Sequence, residues 1–163
     1  MRITPAVVAA ERDRVRERER VVTLLNDTRA ALETQFDTEV DRVTVDRYRA
    51  AVDEVFADGD RAVNVATLAR LLRDLDVSDD YPGFVVDELL GRELAGTIAG
   101  EQPLRMLGEA TFHYADVRTH GEPDEAAGVD DLDAALAAGF QTRLPGWEWR
   151  ESPSPFGVEP EAE

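Results

Sequence analysis

The chain has 163 residues, of which 43% are apolar, and this is enough to build a hydrophobic core within one domain. Its 35 acidic residues outnumber 18 basic ones, every one of which is Arg, and the formal net charge is −17. The absence of Cys excludes disulfides, thiolate metal sites and cysteine nucleophiles, and the absence of Lys excludes Schiff-base chemistry and a P-loop lysine.

The acidic surplus predicts a halophilic protein, with a surface adapted to concentrated salt. At molar ionic strength the screening length falls to roughly 3 Å, so neighbouring carboxylates hardly repel one another. Lys would expose a long apolar stem, whereas Asp and Glu hold their charge close to the backbone. The alternative is an acidic protein from a GC-rich microbe that encodes Arg in place of Lys. No apolar run approaches the roughly 18 residues that a membrane span needs, so we expect a cytoplasmic protein with no membrane partner.

The first predicted element is one long helix over residues 5 to 36. Thr4 supplies a capping hydroxyl, and Pro5 fits the first turn, where its missing N–H costs nothing. Apolar residues then recur at spacings of seven, three and four, and they draw one stripe down the helix: Val8, Val15, Val22, Leu25, Leu32 and Phe36. We expect residues 1–43 to form an N-terminal element that associates with a second copy or with a protein partner.

The first half of this helix is unusually charged. Between Glu11 and Arg20 there are five Arg and four acidic residues, and Val15 is the only apolar side chain. Such a segment is too polar to bury, so it either forms a solvated, salt-bridged helix or contacts an acidic partner. The predicted partner-binding residues on the long helix are Val8, Arg12, Val15, Arg16, Arg20, Val22 and Leu25.

Three shorter helices are predicted to form the centre of a helical core domain, residues 44–151. Thr44 caps the first of them, and Asp58 and Gly59 end it. The second occupies residues 64–76 and opens at an Asn. The third occupies residues 84–99 and follows a turn rich in Asp, Pro and Gly.

The second and third of these helices also fit a helix-turn-helix, or a winged helix if residues 111–117 form part of the wing, and either would make the protein a DNA-binding transcriptional regulator. The third helix would then read the DNA, yet it carries Asp87, Glu88 and Glu93 against a lone Arg92. Acidic side chains facing phosphates repel them, and affinity for DNA depends mainly on neutralising phosphates. Nucleic acid is therefore an alternative partner and not the favoured one.

Beyond Pro103 the composition changes from helical to strand-like. Residues 111–117 are rich in aromatic and β-branched side chains, which favours a strand, and residues 140–144 or 147–149 would pair with it. A short helix over residues 129–138 would lie between them. Residues 152–163 are rich in Pro, Glu, Ser and Gly, so we expect a flexible acidic tail.

The residues that could support catalysis are few. None of the three Ser lies in a Gly-x-Ser-x-Gly motif, so a serine hydrolase of the familiar kind is not expected. His113, Asp116 and His120 could assemble a metal site, with Glu122 nearby, but a strand would point His113 and Asp116 to opposite faces. A metal-assisted enzyme is thus a distant alternative. We predict no cofactor, no metal and no enzymatic activity.

Both Trp residues of the chain lie two positions apart, at Trp147 and Trp149, so an extended backbone would place them on one face. They either fold back onto the helical core or anchor a partner, because Trp often dominates binding energy at interfaces. The sequence therefore predicts a mainly α fold with a long N-terminal helix, a three-helix centre, a small β element and a disordered acidic tail. The favoured function is that of a non-enzymatic protein-interaction or regulatory component.

Overall fold

The computed structural model describes residues 1–76, 86–119 and 127–147. Within these ranges the chain forms seven α-helices and no strand, so the mainly α prediction is confirmed. The helices are α1 (Pro5–Glu17), α2 (Glu19–Phe36), α3 (Val45–Ala57), α4 (Gly59–Asp74), α5 (Val86–Ala99), α6 (Leu104–Asp116) and α7 (Ala127–Gln141).

Side-chain caps fix the starts of three helices. Thr4 Oγ1 accepts a hydrogen bond from Val7 N at 3.2 Å at the start of α1, and Thr44 caps α3 in the same way. Helix α4 begins at Gly59 and not near residue 64 as predicted, because the Asp58 carboxylate accepts a hydrogen bond from Arg61 N at 3.3 Å and serves as its cap. Helices α3 and α4 are therefore joined by a single residue.

The single long helix predicted for residues 5 to 36 is instead two helices that meet at Arg18. The backbone of Arg18 has φ −84° and ψ 79°, which lies outside the helical region. Neither Gly nor Pro causes this break. The Arg18 guanidinium forms a bidentate ion pair with Asp133 of α7, with one N–O distance of 2.9 Å, and the break redirects the chain so that α2 packs against α7.

The strand predicted over residues 111–117 is wrong, because this segment lies in α6 and its end. The helical period places Leu107, Thr111, Phe112 and Ala115 on one buried face against α5 and α7. Packing of this face outweighs the strand propensity of its aromatic and β-branched residues. Residues 140 and 141 likewise end α7 and form no strand, so the described residues contain no β element and the winged-helix variant loses its wing.

Helix α7 is the central helix of the fold. Every side chain from Val129 to Gln141 is buried except that of Asp130, which is partly exposed, and α2, α4, α5 and α6 surround the helix. Its run of Ala and Gly lets the neighbouring backbones approach closely. A Cβ atom added at Gly139 would lie 2.8 Å from Ile98 Cβ and 3.0 Å from the carbonyl oxygen of Ala95.

The N-terminal helices share their core with the rest of the protein. The main hydrophobic cluster takes Val15 from α1, and Val21 and Leu25 from α2, and joins them to residues of the other five helices. A smaller cluster beside it contains Leu32, Val40, Leu107 and Trp147. In the described structure, residues 1–43 therefore pack onto the other helices and do not project. The predicted tail, residues 152–163, lies outside the described residues.

Candidate functional site

An apolar groove lies where the start of α1 meets the end of α3 and the start of α4. It has a volume of about 420 Å³. Its walls are lined by Ile3, Thr4, Pro5, Val8, Ala9, Arg12, Phe56, Gly59, Ala62 and Val63. Val63 on one wall presents an apolar side chain to solvent, and the residue is 44% exposed. On a surface dominated by carboxylates, this groove is an apolar exception.

Local sequence explains why the groove forms. The one-residue connection at Asp58 turns the chain sharply between α3 and α4, so Phe56 and Val63 come from different helices and line the same cleft. On α1, Val8 and Arg12 are one helical turn apart and therefore share a face. The groove thus has an apolar floor and one cationic group.

Arg12 is the charged residue of the groove. Its guanidinium contacts the carboxylate of its chain neighbour Asp13 at 3.2 Å, and the two side chains are 43% and 58% exposed. An exposed pair of this kind contributes little, at roughly 0–1 kcal/mol. Arg12 can therefore exchange Asp13 for a carboxylate on a bound molecule at small cost.

The structure separates the predicted partner-binding residues into three groups. Val8 and Arg12 line the groove. The buried ones, which contact the protein's own helices, are Val15, Val22, Leu25 and Trp147. Arg16 and Arg20 form ion pairs with Asp53 and Asp133 of the same chain. Trp149 lies outside the described residues. Partner binding by this set remains a prediction, and the groove contains two of its members, Val8 and Arg12.

The Arg-rich run, the charged segment from Glu11 to Arg20, was predicted to be too polar to bury, and this prediction is wrong for Glu11. Its side chain is only 1% exposed, and it forms ion pairs with Arg73 of α4 and with Arg14, the latter at 3.3 Å. Asp133 on α7 is also buried and receives both Arg18 and Arg20, with Arg20 Nε at 2.6 Å. The run therefore holds α1 and α2 onto the core through ion pairs.

The residues of the predicted metal site lie near the end of α6. On a helix, His113 and Asp116 are three residues apart and occupy adjoining positions, so the expectation of opposite faces is wrong. His113 Nε2 lies 3.3 Å from Glu88 Oε1 of α5. Burial, followed by the nearby carboxylates of α5 and α7, raises the pKa of Asp116. His120 and Glu122 lie outside the described residues, within which no group of three metal-ligating side chains converges.

Asp131 lies on α7 and faces this acidic end of α5 and α6. Burial is the largest cause that raises its pKa to about 8, and a side-chain hydrogen bond with Asp87 and the charge of Asp116 add to the effect. These effects favour the protonated form of the Asp131 carboxyl, which shares a hydrogen bond with Asp87. Sequence reasoning missed Asp131 and Asp133. The available signal was the occurrence of Asp residues in a helix that is otherwise rich in Ala, Leu and Gly.

We expect Asp131→Asn to change how stability depends on pH. The folded-state pKa is raised above the unfolded value, so the folded protein holds an extra proton between about pH 4 and pH 8. Its free energy of unfolding therefore falls as the pH rises through this window. Asn mimics the protonated form and removes that loss. The difference in unfolding free energy, variant minus wild type, should therefore be more positive at pH 9 than at pH 5. Urea unfolding at both pH values measures this.

Glu39→Gln is the control for this experiment, because Glu39 is exposed and lies outside the cluster. It should leave the pH dependence of unfolding unchanged. If Asp131→Asn and the wild type keep the same stability difference at pH 5 and pH 9, the raised pKa of Asp131 is refuted.

The helix-turn-helix alternative concerns α4 and α5. The connection between them includes residues 77–85, which lie outside the described residues. Helix α5 buries Gly91, Leu94 and Ile98 against its neighbours, and it exposes Val86 and Leu89. Val86 and Leu89 are apolar and cannot pair with phosphate. Binding of nucleic acid remains an untested alternative.

The fold and the groove define an all-helical protein, within the described residues, that carries an apolar surface cleft. None of the described helices has the length and apolar character needed to cross a membrane. Residues 1–160 match a family described as Domain of unknown function (DUF7984), and the chain belongs to this family. No curated protein and no solved structure matches the chain.

Proposed function

We propose that the protein is a non-enzymatic protein-interaction module that binds an acidic segment of another protein in the apolar groove. A Leu, Phe or Trp side chain of that segment fills the groove, and a carboxylate beside it pairs with Arg12. The observation that carries the proposal is the groove itself, an apolar cleft from three helices with a cation on its wall.

The energy for binding comes from apolar burial. Removing apolar surface from water is worth roughly 25 cal/mol per Å², and salts that are excluded from protein surfaces strengthen this effect. Exposed ion pairs are instead screened in concentrated salt. In the salt-rich cytoplasm that we propose for this acidic chain, an apolar groove is therefore a better binding element than a charged surface.

Arg12 supplies selectivity for an acidic partner. Guanidinium binds carboxylate through two parallel N–H···O bonds, which fixes geometry as well as charge. The partners available in a salt-adapted cytoplasm are themselves rich in Asp and Glu, so a carboxylate near the apolar anchor is a common feature. A partner with a cation in that position would face Arg12 and be rejected.

The proposal is tested by binding short acidic peptides that each carry one Leu, Phe or Trp, with fluorescence anisotropy in molar KCl. We expect Val63→Glu to weaken binding by at least tenfold, which is about 1.4 kcal/mol, because a carboxylate then enters the apolar wall. Arg12→Gln should weaken binding by about threefold and should abolish the preference for Glu over Gln beside the anchor.

Two matched variants control for general effects. Val117→Glu also adds a carboxylate at an exposed Val, but Val117 is 76% exposed and lies outside the groove. Arg42→Gln removes an exposed Arg elsewhere on the surface. Both should bind the peptides as the wild type does. Failure of every peptide to bind, or equal loss in Val63→Glu and Val117→Glu, would contradict the proposal. Sedimentation of the unliganded protein distinguishes a second copy as the occupant.

A further inference from the structure

A second cleft, which shares no lining residue with the groove, lies between α2, the end of α6 and α7. Its volume is about 250 Å³. The residues that line it are Arg20, Thr23, Leu24, Asp27, Arg118, Thr119 and Asp133. The lining therefore combines two cations, two carboxylates, two hydroxyls and one Leu.

Two of these charged residues, Arg20 and Asp133, form an ion pair with each other. Asp133 is buried, and the guanidinium groups of Arg18 and Arg20 both bind its carboxylate. This arrangement neutralises Asp133 and holds Arg20 in place. Of the four charged lining residues, Arg118 and Asp27 are the two that take no part in this cluster. Within the described part of the chain, neither of these two forms an ion pair with a protein side chain.

Arg118 is held in a fixed orientation. One of its guanidinium nitrogens donates to the carbonyl oxygen of Tyr114 at 2.7 Å, and the guanidinium carbon lies 4.6 Å from the centre of the Tyr114 ring. A cation above an aromatic face is stabilised by the ring quadrupole. This contact leaves other N–H groups of Arg118 to donate, so the residue is ready to bind a carboxylate without first losing side-chain freedom.

Asp27 provides the opposite charge on the α2 wall. It is exposed and follows Thr23 by one helical turn, so both side chains lie on the same face of α2 as the cleft. A ligand with only a negative charge would be attracted by Arg118 but repelled by Asp27. A ligand with both charges satisfies both residues.

We infer that this cleft binds a small zwitterion of the α-amino-acid type. Arg118 binds the ligand carboxylate, Asp27 binds its cationic nitrogen, and Leu24 contacts the short apolar part. The site does not depend on the groove or on the proposed protein partner. It adds a small-molecule ligand to a protein-interaction module, and the ligand bridges α2 and α6.

The inference is tested by NMR titration of the full chain in KCl solution with three probes: alanine, acetate and methylammonium. Alanine carries both charges, and the other two carry one charge each. We expect alanine to shift the amide signals of residues 23–27 and 118–119 and to bind about tenfold more tightly than acetate. Methylammonium should bind more weakly than alanine as well.

The variants separate the two contacts. Arg118→Gln should lose alanine binding by about tenfold, while Asp27→Asn should make alanine and acetate bind equally. Arg42→Gln and Glu39→Gln are exposed controls that should bind as the wild type does. Asp27 is exposed, so its variant keeps the test valid even if Arg118→Gln does not fold. Absence of alanine shifts at the cleft, or an unchanged preference for alanine in Asp27→Asn, would overturn the inference.

Discussion

Arg29→Met is expected to lower the free energy of unfolding by about 3 kcal/mol, because two partly buried carbonyl groups lose a charged donor. Arg29 is only 1% exposed, and it donates to the carbonyl oxygens of Asp41 at 3.0 Å, Gln141 at 2.8 Å and Pro145. Gln141 retains a second donor, the indole N–H of Trp147 at 3.1 Å. The carbonyls of Asp41 and Pro145 are the ones affected.

Substitution by Met tests the contribution of the Arg29 guanidinium itself. Met keeps most of the apolar stem, so the variant mainly removes the donors and the charge. That charge lies at the C-terminal end of α7, where a cation is favourable. Burial lowers the pKa of Arg29 to about 10, which still leaves it charged at neutral pH. Arg29→Lys should lose less stability, since an ammonium keeps the charge but does not match the fork of a guanidinium.

Urea unfolding at constant KCl, followed by circular dichroism, measures this loss. Arg42→Met is the control, because Arg42 is exposed, and it should remain within about 0.5 kcal/mol of the wild type. An unchanged midpoint for Arg29→Met would show that these carbonyls do not need their buried donor, and the network around Trp147 would then contribute little.

Gly139→Ala is expected to cost about 2–3 kcal/mol of unfolding free energy, because the added methyl group overpacks the contact between α5 and α7. The new Cβ atom would lie 2.8 Å from Ile98 Cβ and 3.0 Å from the carbonyl oxygen of Ala95. Neither atom is the end of a flexible side chain, so the helices themselves must separate. Ala is the better helix former by up to about 1 kcal/mol, and the clash exceeds this gain.

Gly59→Ala is the matched control for this substitution. Gly59 begins α4, and an added Cβ atom would meet nothing within 4 Å. The same chemical change should therefore be neutral or slightly stabilising, and thermal unfolding of the two variants side by side separates packing from helix propensity. Equal melting temperatures for Gly139→Ala and Gly59→Ala would mean that α5 and α7 do not pack as closely as described.

The candidate sites could be predicted from the sequence only in part. Val8 begins the apolar stripe and Arg12 belongs to the segment with five Arg, and both line the groove. Phe56 and Val63 could not be joined to them, since the sharp turn at Asp58 that brings α3 and α4 together leaves no periodic signal. The second cleft depends on residues from α2, α7 and the segment after α6, and nothing local to Arg118 indicates Asp27.

The sequence by itself determined the helical class and the helix starts that have a chemical cap. Thr4 and Thr44 carry hydroxyls at the right spacing from the next N–H groups, and apolar periodicity does the rest. These are interactions within a few residues, so one segment contains all the information. The acidic surplus with no Lys is also a property of composition alone.

Only the tertiary structure decided where charged groups are buried and which segments are helical against their propensity. The break at Arg18 follows from its ion pair with Asp133, 115 residues away, and Glu11 is buried because Arg73 meets it. Residues 111–117 lie on α6 and its end because their buried face fits α5 and α7. Pairings between distant residues depend on how the helices pack, and no local pattern in the chain specifies them.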